Sequence, residues 1–432
     1  MRFIDLFAGI GGLRKGFEIA AKKYGLDPLC VFASEIKPHA CAVLKQNYQG
    51  EKIHGDITLI ETKDIPSFDF LLAGFPCQAF SAAGKRMGFL DTRGTLFFEI
   101  ERIIKAKRPF GFVLENVEGL VTHDRESRND KIGCTLYTIL ASLENLGYKV
   151  DWRLLNAADF GVPQERRRIY IVGTKKGAPN LNDFRKSKSK LSDVLESGLP
   201  CENSKFIDSL LSRYKLHELH GKAIKDKRGG KDNIHSWDIE LKGEISKNQK
   251  ELMNILLKER RKKKWAADYG IDWMDGMPLT YEHIKTFYEH PNLLEMLEDL
   301  AEKGYLKKEH PKRKEGTKRI QDNTLPLGYN IVAGKMSFEI SKILDPNGVA
   351  PTLVAMDMRH IYVTDEGGLR KLSLKEGLRL FGFPDDYKLD VERELAFDLL
   401  GNTVVVPVIA AVSERVLDVF LEEASIEKTI AS

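Results

Sequence analysis

Four side chains in the first half of the chain have the types and positions for group-transfer chemistry. Cys77 follows the apolar run Phe68-Asp69-Phe70-Leu71-Leu72-Ala73 and lies in the loop Gly74-Phe75-Pro76-Cys77-Gln78-Ala79-Phe80-Ser81. An apolar run closed by Gly and Pro reads as a buried strand ending in a tight loop. A thiol there sits just past a strand's carboxyl end, the edge at which open α/β sheets bind ligands, and is placed to act as a nucleophile. The residues alone also allow a buried structural cysteine. Glu115 lies at the carboxyl end of a second apolar strand, Gly111-Phe112-Val113-Leu114-Glu115-Asn116-Val117, either as an acid on the same edge or as a cap of the next helix. Gln164-Glu165-Arg166-Arg167-Arg168 then leads into the buried run Ile169-Tyr170-Ile171-Val172-Gly173. Arginines in that place point at the site edge or at phosphate, or else form a solvated face.

These residues need a sheet to bring them together, and the N-terminal third has its pattern. Phe3 to Phe7 is a short strand followed by Ala8-Gly9-Ile10-Gly11-Gly12 and then by apolar residues at helical spacing, the opening of a Rossmann-like unit. Leu29 to Ser34 is a second strand and ends at Glu35, where such a unit puts an acid on ribose hydroxyls; a third element ends at His54-Gly55-Asp56-Ile57. Gly9, Glu35 and Asp56 thus reach one edge. Tyr148 to Leu155 and Ile169 to Gly173 complete the sheet. The glycine-punctuated connection Gly84 to Gly94 reads as a lid beside Cys77 or as a surface loop.

The chain has 432 residues, more than one ordinary core accommodates, with a hydrophobic share of 42% and a charged share of 30%, as in soluble globular proteins. Its five cysteines are odd in number, scattered and free of Cys-x-x-Cys spacing, so neither a disulfide framework nor a metal site is indicated. No signal region opens the chain and no stretch approaches membrane-spanning length, so no membrane partner and a reducing cytoplasm are expected. The net charge of +4 decides nothing by itself; its distribution does.

Past Gly173 Lys and Arg thicken and helical spacing dominates. The amphipathic run Pro291 to Leu300 is followed by Lys307 to Arg319, with seven basic residues against two acids, an order that resembles a winged-helix module. The turn Lys227-Arg228-Gly229-Gly230-Lys231 suits a phosphate contact or a plain surface turn. The chain is therefore expected to divide into a catalytic domain at 1–175, an inserted module at 176–342, a supporting segment at 343–395 and a C-terminal helix at 396–432 that returns to the first domain. The fold class expected is α/β, a Rossmann-like sheet with an inserted, largely helical domain.

Taken together, Asp5-Leu6-Phe7-Ala8-Gly9-Ile10-Gly11-Gly12, Gly74 to Ser81, Glu115-Asn116-Val117, Gln164-x-Arg166-x-Arg168 and Gly401-Asn402-Thr403-Val404 resemble the motifs of the cytosine-5 DNA methyltransferase family, in the family's order. The resemblance spans residues 1 to about 175 and 343 to about 415. It implies that Phe7, Gly9, Gly11, Gly12, Glu35, Ile36, Asp56, Ile57, Pro76 and Asn402 hold S-adenosylmethionine. It further implies that Cys77 is the nucleophile, that Glu115 meets N3 and the exocyclic amine of the base, and that Arg166 and Arg168 support a flipped-out cytosine. Ile36 stands where many relatives place Trp, and Arg167 where some carry an acid.

Carbon-5 of cytosine is a poor nucleophile, and addition of a thiolate at carbon-6 with proton donation at N3 makes it electron-rich. The partners implied are duplex DNA, read by the insertion, and functionally a cognate restriction endonuclease. Two other readings of the same residues are an RNA cytosine-5 methyltransferase and a catalytically silent DNA-binding regulator on this scaffold.

Overall fold

In the computed structural model the chain forms two compact units. One comprises Met1–Glu196, Asn347–Arg359 and Leu372–Ser432, the other Ser197–Pro346 and His360–Lys371. The structure describes residues 1–75, 95–127, 129–227, 230, 232–271, 276–315, 318–333, 338–354 and 357–431, with backbone alone at 95, 315 and 427–431. Pro76, Cys77 and the segment 84–94 lie outside the described residues, as do Arg228, Gly229 and Lys231.

The first unit is built on a seven-stranded sheet. Its strands are β1 (Arg2–Leu6), β2 (Leu29–Ser34), β3 (Ile53–His54), β4 (Phe70–Gly74), β5 (Gly111–Val117), β6 (Lys149–Asn156) and β7 (Arg167–Thr174), in the order β3-β2-β1-β4-β5-β7-β6. The first five run parallel; β7 is antiparallel to both β5 and β6. The central strands are apolar without alternation because helices cover both faces. Ile4, Leu71, Leu114 and Ile171 face one layer, formed by Phe97, Ile100 and Ile104 of α3 (Thr95–Lys107) and by Leu136 and Ile139 of α4 (Cys134–Asn145). On the opposite layer Phe17 of α1 (Gly12–Lys23) packs against Phe3 and Phe70. A further helix, α2 (Pro38–Asn47), joins β2 to β3.

The second unit carries short strands alongside its helices. After α5 (Lys205–Leu211), β8 (Ala223–Ile224) and β9 (Asn233–Ile234) come α6 (Lys247–Glu259), α7 (Lys263–Ala267), α8 (Tyr281–Lys285) and α9 (Leu293–Glu302). Strands β10 (Leu306–Glu309), β11 (Lys312–Glu315), β12 (Lys318–Gln321) and β13 (Gly328–Ile331) follow, with β10 paired to β13 and β11 to β12. Leu252, Leu256, Leu297, Leu300 and Leu306 share one core there. A second sheet joins β8 and β9 to β14 (Lys342–Ile343), β15 (Ile361–Asp365) and β16 (Gly368–Lys371).

The chain returns to the first unit as α10 (Leu374–Leu380), α11 (Arg393–Asn402) and α12 (Val406–Ala431). Asn402 thus ends one helix, and the final helix begins four residues later. Phe420 of α12 meets Phe70 and Phe110, so the C-terminus closes the sheet's second layer. The stretch Arg393–Ile426 is long and apolar enough to cross a membrane by length and composition, which corrects the expectation that no stretch is. Its apolar residues are core residues: 72% of its most apolar window is buried in the fold.

Candidate active site

The strand order reverses between β1 and β4, and the crevice outside the carboxyl ends at such a switch point is where open α/β sheets bind ligands. The glycine turn after β1 forms one wall. Phe7, Gly9 and Gly11 all have positive φ, 56°, 55° and 79°, a conformation that explains the glycines and marks Phe7 as strained. A side chain at Gly9 would meet nothing within 4 Å, so the turn opens on free space, whereas one at Gly12 would lie 2.8 Å from Thr403 Oγ1. Gly12 therefore lets the segment after Asn402 close against the turn.

Glu35, at the end of β2, is buried and tied to that turn. Its carboxylate accepts backbone N–H bonds from Gly9 (2.7 Å), Ile36 (2.9 Å) and Lys37 (2.8 Å). A carboxylate offers roughly four acceptor sites, which leaves about one for a hydroxyl. Ile36 beside it is 69% exposed, an apolar surface at the crevice. Asp56 is exposed and caps a turn through Thr58, with its Oδ1 accepting from the amide (2.9 Å) and the hydroxyl (2.8 Å). Ile57, by contrast, has its side chain in the core, so only its backbone can meet a ligand. Asn402 is exposed and donates to the Asp398 carbonyl at 2.8 Å. The residues fit S-adenosylmethionine: an open glycine turn, an oriented acid, an exposed apolar neighbour and a second acid on the next strand end.

The other wall is the end of β5. Glu115 is 8% exposed, and its Oε1 lies 3.3 Å from Arg168 Nε. The register explains the pair. Glu115 is directly opposite Tyr170 on β7, so Arg168, two residues along, holds the diagonal position on the same face. Burial pushes the Glu115 carboxyl up, while Arg168 and Arg166 pull it down. Gly74 at the end of β4 is the register partner of Glu115, and a side chain there would be in ordinary contact with Glu115 Oε2, at 3.7 Å. The acid accordingly lies next to the strand end that leads, three residues on, to Cys77.

Arg166 is placed differently. It is buried, and its guanidinium donates to the carbonyls of Leu353 (3.0 Å), Gly401 (3.2 Å) and Thr403 (2.7 Å), with Nε lacking a partner among the described residues. Burial and the neighbouring Arg168 lower its pKa to about 10. It clamps two returning segments to the start of β7 and sits behind the Glu115–Arg168 pair.

Three further residues position the site and had no assigned role in the sequence. Asn116 Nδ2 donates to the Phe75 carbonyl at 3.1 Å and so fixes the chain at the last described residue before Pro76-Cys77. Gln164, fully buried, donates to the Leu380 carbonyl at 2.8 Å. Tyr387 donates from its hydroxyl to the Ile10 carbonyl inside the glycine turn. Asn116 and Gln164 stand inside motifs quoted above, and Tyr387 ends the run Phe381 to Tyr387; nothing in the sequence indicates their partners. Among the described residues no group of three His, Cys, Asp or Glu side chains is arranged to hold a metal ion.

Comparison with known proteins places this geometry in a family. Residues 1–418 match the family described as C-5 cytosine-specific DNA methylase. The chain is 64% identical over 417 residues to the Type II methyltransferase M.NlaIV of Neisseria lactamica, covering 96% of this chain and 99% of that one. It is 42% identical over 439 residues to the Type II methyltransferase M.BanI of Aneurinibacillus aneurinilyticus, covering 96% and 95%. Among solved structures it resembles in fold the Entamoeba histolytica methyltransferase EhMeth, with a TM-score of 0.52 at 17% identity over 97% of this chain and 98% of that one. The chain belongs to the C-5 cytosine-specific DNA methylases, S-adenosylmethionine-dependent enzymes that methylate carbon-5 of cytosine in DNA.

Proposed function

We propose that the chain is the modification methyltransferase of a Type II restriction–modification pair and works through a covalent Cys77–cytosine adduct. The names of its relatives support the first part. The observation that carries the second is the buried Glu115, with Arg168 at 3.3 Å and Gly74 beside it on β4, at the strand ends leading to Cys77.

S-adenosylmethionine supplies an electrophilic methyl group on a sulfonium. Phe7, the Gly9–Gly12 turn, Glu35, Ile36, Asp56 and Asn402 would hold it, with backbone atoms of Ile57 and Pro76. The target atom is inaccessible in a stacked duplex, so the nucleotide must be flipped out at a cost of roughly a few kcal/mol. The Cys77 thiolate adds to carbon-6, forming a C–S bond, and the ring electrons move toward carbon-5. Glu115 in its protonated form gives a proton to N3, and the raised pKa of its carboxyl suits that duty. Arg168 steadies Glu115 and the base, while Arg166 holds the surrounding segments. Once carbon-5 carries the methyl group, loss of the carbon-5 proton and return of the N3 proton to Glu115 restore the ring double bonds as the thiolate is expelled.

Bisulfite sequencing of DNA from cells expressing the chain tests this reading, with parallel methyl-transfer assays on duplex DNA and tRNA. Cytosines protected in one sequence context, lost in Cys77→Ser, are the expected result. Transfer to tRNA alone would favour the RNA enzyme, and no transfer at all the silent regulator.

A further inference from the structure

The segment from α6 to β13 carries a surface whose charge separates two ways of meeting DNA. Helices α8 and α9 are followed by β10, the β11–β12 ribbon and β13, while Leu279 forms an antiparallel bridge with Tyr329 of β13. With the short α7 set aside and the Leu279 bridge counted as a strand, the order is helix, strand, helix, helix, strand, ribbon, strand, the succession of a winged helix, in which α9 holds the place of the helix that usually enters the major groove. The exposed positions of α9 are Leu294, Glu295, Glu298 and Glu302. Glu298 is held by Lys308 (2.7 Å) and by the Tyr329 hydroxyl (2.5 Å). A helix face of that composition repels phosphate.

The ribbon is the reverse. Register places Lys312 opposite Gln321 and Lys314 opposite Arg319, so these four share one face and none is acidic, while Lys312 also pairs with Glu309 at 3.7 Å. Arg313 and Lys318 fall on the other face, where Arg313 pairs with Asp322 at 2.5 Å. Lys314, Lys318 and Arg319 are exposed. An exposed row of cations on one ribbon face complements the phosphates of a duplex.

We propose that the Lys312–Lys314–Arg319 face of the ribbon contacts the phosphate backbone of duplex DNA, and that α9 makes neither phosphate nor base contacts. The proposal rests on the reading of this chain as a methyltransferase acting on duplex DNA. It is tested by binding full-length variants, across a salt series, to a duplex carrying the methylated sequence and to a scrambled duplex. The K314A/R319A variant should lower the slope of log affinity against log salt by about two, equally on both duplexes. Both R313A/K318A and E295Q/E302Q should leave the slopes and the ratio between duplexes unchanged. An unchanged slope in K314A/R319A, an equal loss in R313A/K318A, or altered discrimination in E295Q/E302Q would overturn the assignment. Those failures in a wild type that still methylates duplex DNA leave the methyltransferase reading intact; a wild type without affinity for duplex removes both.

Discussion

Arg168 lies 3.3 Å from Glu115 across the ladder between β5 and β7, and its charge opposes the effect of burial on the protonation of that acid. Burial raises the Glu115 pKa, and of the charges that oppose the rise Arg168 is the larger and Arg166 the smaller. If protonated Glu115 serves N3, activity falls as pH climbs through its pKa. Arg168→Ala removes the opposing charge, raises that pKa further and moves the alkaline limb of the kcat profile to higher pH while lowering kcat. Arg168→Lys should return the limb toward wild type. A limb that stays in place in Arg168→Ala contradicts the coupling.

Glu35 joins the glycine turn to the second strand through three amide bonds. Its replacement by Ala should weaken S-adenosylmethionine binding about 10- to 100-fold, the loss of a charged hydrogen bond of ~1.5–3 kcal/mol. DNA binding should change far less. Calorimetry showing unaltered cofactor affinity would leave Glu35 a backbone tie only.

Much of this arrangement is legible in the sequence because parallel strands buried on both faces announce themselves as apolar runs, and their ends fall on one edge. Gly9, Glu35, Asp56 and Glu115 could be placed that way. The role of Arg166 could not: its acceptors are Leu353, Gly401 and Thr403, far along the chain, and carbonyl partners carry no residue-type signal. The Glu35 amide bonds and the Tyr387 contact with Ile10 were hidden for the same reason. The two-residue strands β8, β9 and β14 are too short for any periodicity.

Asp5, in the middle of the first strand, is fully buried, and neither carboxylate oxygen has a hydrogen-bond partner among the described residues. Burial pushes its pKa up to about 8; Arg14 opposes the rise, and Glu35 and Glu18 add to it. A group that binds its proton more tightly when folded contributes stability below its unfolded pKa, near 3.8, that is lost as pH rises toward 8. Asp5→Asn should flatten that dependence, by at most about 1.4 kcal/mol per pH unit. Urea unfolding of both proteins from pH 4 to 9 measures it, and parallel curves would contradict it.

Gly16 of α1 faces α12, and a side chain there would come within 2.5 Å of Ile409 Cβ and 2.8 Å of the Val406 carbonyl. Gly16→Ala should destabilise the fold by ~1–3 kcal/mol through overpacking. Below the melting transition, cofactor affinity should be nearly unchanged. A melting temperature equal to wild type would mean that the two helices part without cost.

Covalent catalysis by Cys77 is tested most directly by trapping the adduct. Duplex DNA with 5-fluorocytosine at the methylated position lacks the proton whose loss permits elimination, so the adduct should persist. Incubated with S-adenosylmethionine, digested and analysed by mass spectrometry, the wild-type chain should yield one DNA-linked peptide with the modification on Cys77, and Cys77→Ser should yield none. Turnover of the normal duplex without a trapped species, or an adduct on any other residue, would contradict the account.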